Sequence, residues 1–498
     1  MSTNTAVDAS AVARVLGIQT NFVDLRGANT VFLPQRVVIL GQGNTTAVYS
    51  TDKLQVTSAQ QVAQTYGFGS PLHLAAKMLF PVNGDGVGTI PVTVYPLVDN
   101  ASSVASSGAI TPSGAQTEQA SYVVKINEIS SEAFVIAVGD SIATITSKVA
   151  QAINAVLDMP VTASENGAAV SLTSKWKGTS ANDIYVEVEG STTAGTVFAI
   201  TQPAGGLINP DTSAALAQVG NVWESLFVNC LEFTDTTNLD AYSVFAEGRW
   251  GSLVRKPCEF FTGAKELTVA AIQAVTDDRK TQRGNTVINV PGSNNLPLQI
   301  AARAVARIAS RANNNPPWDY GGLTLTGIVG GTDGQQWDYA TRDQAVKAGI
   351  GTTELEDGVV KLSDTVTFYR PDGDPTPAYR YVVDIVKLQQ CIFNVDLKFN
   401  TDEWNGAPLI PDDEPTVNPA AKKPKSAVTA ANNVITGLGL NAIISAAEAS
   451  KGLTTAAIDS MNPKRLNVNI TIQLSGNSNI ISIALNFGFY FGTQELAA

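Results

Sequence analysis

The chain has 498 residues, of which 44% are hydrophobic and only 15% are charged, and its formal net charge is −12. Single hydrophobic cores stop growing beyond about 250–300 residues, so this length predicts roughly three or four domains. The acidic balance excludes a protein that binds nucleic acid through a basic surface. A charge content below the roughly 25% of an average soluble protein indicates a surface partly buried in an assembly, or one rich in Ser, Thr, Asn and Gln.

Few residues of this sequence are suited to catalysis or metal binding. His73 is the single histidine, which excludes a multi-histidine metal site and leaves a Ser-His-Asp site only if His73 takes part. The three cysteines, Cys230, Cys258 and Cys391, lie far apart, which is typical of core thiols in a reducing compartment. No run of about 18 apolar residues exists, so we expect no membrane insertion. We also expect no catalytic, metal or cofactor-binding site.

The chain begins with an arm and an α/β unit. Residues 1–30 are predicted to be an N-terminal arm that carries one extended stretch, residues 18–25. A strand buried on both faces follows at residues 37–40, and helices are predicted over residues 58–66 and 71–80. Ser70 is the predicted N-cap of the second helix. The Gly41–Gly43 turn fits neither the dinucleotide nor the P-loop spacing, so we interpret it as a turn.

The composition changes after this unit. Residues 99–119 are rich in Ser, Ala, Gly and Thr, which predicts a linker. Short strands follow, together with a helix over residues 141–157 whose apolar positions recur at helical spacing. We interpret residues 99–205 as a small α+β domain inserted between strands of a larger one.

Strands then alternate with helices of 10–15 residues through residues 206–370. This alternation predicts a largely parallel sheet covered on both faces, with residues 31–98 and 206–370 forming one α/β core. The predicted fold class is therefore α/β in the core and α+β overall, in several domains. Arg303, Arg307 and Arg311 lie on one side of a predicted helix. They form either a docking face for an acidic neighbour or a solvated face with local ion pairs.

Residues 371–498 are predicted to be a C-terminal domain that ends in a β-hairpin over residues 464–491. Apolar residues alternate with polar ones from Leu466 to Leu474 and again from Ile481 to Phe491, around a polar turn at residues 475–479. Two interpretations stay open. The hairpin closes the protein's own sheet, or its last strand is donated to a neighbouring subunit, because unpaired edges are templates for another chain.

The order of several segments resembles that of the contractile tail sheath proteins of Mu-like bacteriophages. The segments that carry the resemblance are residues 36–43, 57–70, 170–178, 182–184, 347–353 and 367–370, together with the closing stretch. Their shared order spans most of the chain. An α/β enzyme, either a hydrolase or a nucleotide-binding protein that uses the Gly41–Gly43 turn, is the alternative. The enzyme alternative is weakened because the chain has a single histidine and no phosphate-binding motif.

The resemblance implies a structural protein rather than an enzyme. Such a subunit polymerises as stacked rings in a helical sheath around the tail tube, and contraction drives the tube through the host envelope. The implied partners are further copies of the chain, the tail tube protein, and the baseplate and tail terminator proteins. The implied location is the contractile tail of the virion, assembled in the host cytoplasm. Residues 99–205 would face outward and residues 371–498 inward.

The resemblance also implies that terminal strands are exchanged between subunits. The candidate interface residues are Ile18, Phe22, Val23, Leu25, Ile481, Ile483, Leu485, Phe487, Phe489 and Phe491.

Overall fold

The computed structural model describes residues 30–374, 377–483 and 485. Strands and helices alternate through much of this range. The strands are β1 (Val37–Gln42), β2 (Leu54–Val56), β3 (Val92–Leu97), β4 (Ala105–Ser113), β5 (Ala120–Ile126), β6 (Ile129–Ser130), β7 (Phe134–Ile136), β8 (Val161–Asn166), β9 (Ala169–Lys177), β10 (Val186–Gly190), β11 (Val197–Ala204), β12 (Leu226–Asn229), β13 (Glu259–Ala264), β14 (Asn285–Asn289), β15 (Thr352–Glu356), β16 (Val359–Asp364), β17 (Ile444–Ser445), β18 (Thr455–Ile458), β19 (Leu466–Asn469) and β20 (Gln473–Leu474).

The helices vary in length from a single turn to five turns. They are α1 (Ala59–Tyr66), α2 (Pro71–Leu79), α3 (Ile142–Ala155), α4 (Ser213–Ala217), α5 (Thr236–Trp250), α6 (Val269–Thr276), α7 (Pro297–Asn314), α8 (Tyr339–Lys347), α9 (Val382–Phe399), α10 (Pro424–Leu440) and α11 (Ala447–Leu453). Short 3₁₀ helices occur at Thr179–Asp183, Asp277–Arg279 and Asp333–Gln335.

A six-stranded sheet forms the centre of the structure. Its strand order is β14-β13-β12-β1-β3-β2, and all neighbours run parallel except β2, which is antiparallel to β3. Val37 of β1 lies beside Leu226 on one side and beside Val92 on the other. Strands from before and after residues 99–205 therefore share one sheet, and the predicted largely parallel sheet is confirmed.

Helices cover both faces of this sheet, because its strands are apolar on both faces. Val37 and Ile39 contact the side that carries α1, α2 and α7, whereas Val38 and Leu40 contact the side that carries α5 and α6. Every residue of β1, β3 and β13 is buried, as expected for parallel strands between two helical layers. The predicted α/β core, within an α+β protein of several sheets, is confirmed.

Helix α2 begins where the sequence predicts and holds the single histidine in the core. The Ser70 side chain accepts a hydrogen bond from the His73 N–H, and Pro71 occupies the first helical turn. His73 is only 3% exposed, and its Nδ1 accepts a hydrogen bond from the Gly69 N–H at 3.0 Å. Burial lowers the pKa of His73 from 6.5 to about 4, although Asp158 opposes this shift. His73 is therefore a neutral structural residue at pH 7.

Residues 99–205 form two further four-stranded sheets. One has the order β11-β4-β9-β8, and the other joins β10, β5 and β6 with β7 also paired to β5. Helix α3 packs against strands of both sheets through Ile145, Val149 and Ile153, which belong to the apolar stripe seen in its sequence. The chain leaves the central sheet after β3 and returns to it at β12. The domain boundaries at residues 99 and 205 stay predictions.

The predicted linker over residues 99–119 is wrong, because its central part, Ala105–Ser113, is strand β4. This strand lies between β9 and β11, where its small side chains suit close packing. An added Cβ at Gly108 would lie 2.7 Å from the Thr201 carbonyl oxygen, and the buried Ser106 hydroxyl donates to the Ala181 carbonyl at 2.8 Å. Small residues are typical of a flexible linker, but here they are needed because neighbouring backbone lies too close to β4 for larger side chains.

Side-chain amides cover two outer strand edges of these sheets. At the β8 edge, Asn154 accepts a hydrogen bond from the Ala163 N–H at 3.0 Å and donates one to the Ala163 carbonyl at 2.7 Å. At the β10 edge, Gln202 forms the same pair of bonds with Val186, both at 2.8 Å. Each amide therefore takes the place of one residue of a neighbouring strand and satisfies backbone groups that could pair with another chain.

The C-terminal part has two long helices, α9 and α10, and four short strands. The strands form two separate pairs, β17 with β20 and β18 with β19. A small apolar cluster joins β17 and β20 to the helices; it consists of Cys391, Ile435, Leu438, Ile443 and Ile444, with Phe32, Ile470, Ile472 and Leu474 packed against it. This cluster is separate from the two large cores beside the central sheet.

Helix α7 lies very close to β13 at Gly263, and Gly248 of α5 has open space beside it. We therefore predict that alanine at these two positions changes stability in opposite directions. An added Cβ at Gly263 of β13 would overlap the Pro297 carbonyl oxygen at the start of α7, whereas one at Gly248 of α5 would meet no heavy atom within 4 Å. Gly263→Ala should destabilise the protein by about 1–3 kcal/mol through overpacking. Gly248→Ala should stabilise it by about 0.5–1 kcal/mol through helix propensity. Thermal unfolding measures both, and equal midpoints for the two variants would contradict the close packing.

The buried His73 predicts a defined pH dependence of stability. The histidine pKa is about 4 in the folded chain and 6.5 when unperturbed, so protons bind the unfolded chain first. Its contribution to the free energy of unfolding is therefore complete above pH 6.5 and is lost as pH falls to about 4. His73→Asn keeps a hydrogen-bond acceptor but does not titrate in this range. Melting curves should show wild type losing stability relative to this variant between pH 6.5 and 4, and a constant difference would refute the assignment.

Candidate functional site

The predicted strand-donation residues lie at the two ends of the chain. Ile18, Phe22, Val23, Leu25, Phe487, Phe489 and Phe491 lie outside the described residues. Ile481, Ile483 and Leu485 are described, and 74%, 81% and 81% of their surface is exposed. None of these three belongs to a strand in the part of the chain that the structure describes. Their role in strand donation stays a prediction.

The predicted hairpin over residues 464–491 is wrong as far as the structure describes it. Its first strand is divided, and the two parts, β19 and β20, pair with β18 and β17 instead of with residues 481–483. The reason is that other elements hold the residues predicted as the turn. The Lys387 ammonium donates to the Ser475 carbonyl and to Asn477 Oδ1, both at 2.6 Å, and Asn477 Nδ2 donates to the Pro317 carbonyl at 2.8 Å. These contacts lead the chain away from β20.

The β18–β19 hairpin has one covered face and two open edges. Its apolar residues, among them Ile458, Leu466 and Val468, are half-buried against α10, while Asn467 and Asn469 are exposed. Within the described ranges, neither β18 nor β19 is paired with a further strand. Such edges present rows of unpaired N–H and C=O groups that a strand of another chain can join.

Three strand edges elsewhere in the described residues are partly covered by the chain itself. The outer edge of β14 in the central sheet is bridged by Gly351 and Thr367. The β8 and β10 edges are each covered at one residue, Ala163 by the amide of Asn154 and Val186 by the amide of Gln202. The β18–β19 hairpin therefore differs from these edges in being open to a partner strand.

The arginine face of α7 is occupied by local partners. Arg303 is fully buried and donates to the Asp85 carbonyl at 3.0 Å, and Arg307 forms an ion pair with the Asp85 carboxylate. Arg311 donates to the Asp319 carbonyl at 2.8 Å and lies over the Trp318 ring, with its guanidinium carbon 4.8 Å from the ring centroid. The local ion pairs of the second interpretation are found at Arg303 and Arg307, but the face is not solvated, because Arg303 is fully buried.

The residues that an enzyme could have used have structural surroundings. The Gly43 N–H, which a phosphate would need, donates to the Tyr49 hydroxyl at 3.1 Å, and an added Cβ at Gly41 would lie 2.8 Å from Cys230 Sγ. Burial raises the pKa of Cys230, Cys258 and Cys391, which keeps these thiols protonated and unreactive. His73 is buried in α2.

The described residues contain no group of three or more His, Cys, Asp or Glu side chains placed to hold a metal ion. No helix within the same ranges is both long enough and apolar enough to cross a bilayer.

Comparison with known proteins gives a relative over most of the chain. No protein-family model matches. The Mu-like prophage FluMu tail sheath protein of Haemophilus influenzae is 23% identical over 399 residues, which are 77% of this chain and 79% of that protein.

Solved structures align over more of the chain at lower identity. The sheath tail protein Lin1278 from Listeria innocua has a TM-score of 0.49 and 12% identity, over 91% of this chain and 96% of its own. The PVC sheath complex of an extracellular contractile injection system, in its contracted state, has a TM-score of 0.49 and 9% identity, over 96% and 99%.

The curated relative matches this chain over more than three quarters of both sequences. The resemblance to Mu-like tail sheath proteins that the segment order carries is therefore confirmed, and the chain is a homologue of a Mu-like prophage tail sheath protein.

Proposed function

We propose that this chain is the structural subunit of a contractile tail sheath. The observation that carries the proposal is its sequence match to a tail sheath protein over most of both chains. In this role the subunits polymerise as stacked rings around a tail tube, and contraction of the sheath drives the tube through a host envelope. The occupied glycine turn, the protonated thiols and the buried histidine support a structural rather than an enzymatic role.

We further propose that terminal strands link the subunits, with the β18–β19 hairpin as the acceptor. The described start of the donor segment carries Ile481, Ile483 and Leu485 at alternate positions, all largely exposed. Exposed apolar residues in this spacing suit a strand with one buried face. The hairpin offers open backbone edges beside a half-buried apolar face, so main-chain pairing would supply affinity and the apolar side chains would set the register.

Covered edges elsewhere in the chain would make this pairing selective. The amides of Asn154 and Gln202 satisfy backbone groups at the edges of β8 and β10, so a donor strand could pair there only by displacing them. The open hairpin imposes no such cost. An open hairpin, beside edges whose backbone groups are already bonded at these positions, would favour a defined link between subunits over aggregation.

The finer assignments rest on this role. The donor at the N-terminal end would be the stretch that contains Ile18, Phe22, Val23 and Leu25. Residues 371–498 would face the tail tube and residues 99–205 the outside, with baseplate and tail terminator proteins at the two ends of the sheath. The assembled tail would form part of a virion built in the host cytoplasm. Strand links that persist while the subunit bodies reorient would let a metastable extended sheath shorten.

Truncation provides the first test of strand donation. A chain that stops after Asn479 keeps β17–β20 and every described contact of residues 475–477, but it lacks the exposed donor segment. We expect this variant to fold with an unchanged melting temperature and to remain unassembled in electron micrographs. Wild-type chain under the same conditions should form tubes. Tubes formed by the truncated chain would rule out C-terminal donation.

The alternation of the donor segment provides a second test with a matched control. Ile483→Asp places a charge on the face that would be buried, whereas Ser482→Asp places the same charge one residue away on the opposite face. Because both positions are exposed in the isolated chain, neither variant should change its melting temperature. Ile483→Asp should reduce tube formation at least about tenfold, as expected for a buried unpaired charge, and Ser482→Asp should have little effect. Equal effects would contradict a one-faced donor strand.

A further inference from the structure

A stripe of buried polar side chains runs along α9. Lys387, Gln390 and Asn394 are spaced three and four residues apart, so they lie on one face of the helix. Lys387 and Gln390 are 0% exposed and Asn394 is 8% exposed. Polar groups buried at this depth usually have partners, and these three find partners at the two ends of the described chain, while Gln390 Nε2 alone lacks one within the described residues.

The C-terminal end of the chain is held by Lys387. Its ammonium donates to Ser475 O and Asn477 Oδ1, both at 2.6 Å, and to Asp384 Oδ1 at 3.0 Å, which accounts for all three donors of a lysine. Two of the three acceptors belong to the segment that leads to the proposed donor strand. Ile480 and Ile481, just beyond it, are 80% and 74% exposed.

The N-terminal end is held by the two amides of the same stripe. Asn394 accepts a hydrogen bond from the Val31 N–H at 3.2 Å and donates one to the Val31 carbonyl at 3.0 Å. Gln390 Oε1 accepts a hydrogen bond from the Leu33 N–H at 2.7 Å. Before it enters β1, the chain therefore lies along α9, and its backbone groups bond the side-chain amides of that helix.

We propose that α9 is the common anchor of both terminal segments, which Lys387, Gln390 and Asn394 hold at a fixed separation on one rigid helix. This inference rests on the proposed function, in which those segments continue to neighbouring subunits. A displacement of one link would then be transmitted through α9 to the other, instead of being absorbed by the two-residue pairing of β17 with β20.

The anchor depends on burial. Removal of residues 475–477 from Lys387 would leave a buried ammonium with two unsatisfied donors, which is strongly unfavourable. Release of Val31 would likewise leave both the amide oxygen of Asn394 and one of its donors without their partners. Each segment is therefore held by groups that have no equivalent partner once it leaves.

Hydrogen exchange of the full-length, unassembled chain tests the anchor. Lys387→Met should speed exchange in residues 474–479, and Asn394→Leu should speed it in residues 31–33, each by about tenfold or more. Both variants keep the full donor segments, and we expect both to lose the ability to form tubes. Exchange that stays within about twofold of wild type would overturn the proposal. If Lys387→Met does not fold, Asn477→Ala removes one of the same bonds from a half-buried position.

Two control variants match these substitutions. Lys451 forms an i, i+3 pair with Glu448 as Lys387 does with Asp384, but it contacts neither end of the described chain. Asn441 donates to the carbonyl four residues earlier, as Asn394 also does, and within the described residues it bonds neither terminal segment. Lys451→Met and Asn441→Leu should leave terminal exchange and tube formation unchanged. Equal effects of the controls would show general destabilisation and overturn the anchor.

The anchor and the proposed function can fail separately. If the chain that stops after Asn479 forms tubes, C-terminal strand donation is wrong. If that chain remains unassembled while Lys387→Met forms tubes despite faster terminal exchange, strand donation stands and the anchoring role of α9 is overturned.

Discussion

Backbone groups at strand edges need hydrogen-bond partners, and the described part of this chain supplies them at some edges and not at others. The central sheet meets it at β14, where Gly351 and Thr367 bridge the outer edge. The sheets of residues 99–205 meet it with the side chains of Asn154 and Gln202. The β18–β19 hairpin is left with both edges open within the described residues, and this contrast makes it the proposed acceptor for another copy of the chain.

Helix α9 gives this arrangement a mechanical basis. The terminal segments come from opposite ends of the sequence, yet contacts at Val31 and Asn477 bring both to the same helix. A sheath that shortens must reorient its subunit bodies without breaking the links between them. Links fixed to one rigid helix would move together with the subunit body, because Val382, Val383 and Val386 hold α9 in the large core beside the central sheet.

The sequence predicts the central part of the fold well because its signals are local. Val37–Leu40 is apolar on both faces and becomes a central parallel strand, and Ser70 with Pro71 defines the start of α2. The residues 99–119 mislead because small side chains are common both in linkers and in close-packed strands such as β4. Composition alone does not separate these two cases, since the difference lies in which strands flank the segment.

The candidate site is harder to predict because its contacts join distant parts of the sequence. Residues 466–474 have the right periodicity for a strand, but nothing local indicates that their partners are β17 and β18. The polar residues 475–479 have the composition of a hairpin turn, but Lys387, 88 residues earlier, bonds the Ser475 carbonyl. One signal was present in the sequence: Lys387, Gln390 and Asn394 recur at helical spacing among apolar residues, which indicates buried polar groups with partners elsewhere.

The most direct measurement is a high-resolution cryo-electron microscopy map of assembled particles of this chain. The account predicts backbone density of another copy running beside β18 or β19 at about 4.8 Å, the spacing of paired strands. It also predicts that this density can be traced to residues 480–491 or to residues 18–25 of the other copy. A map in which both ends fold back onto their own subunit, with the hairpin edges facing solvent, would contradict it.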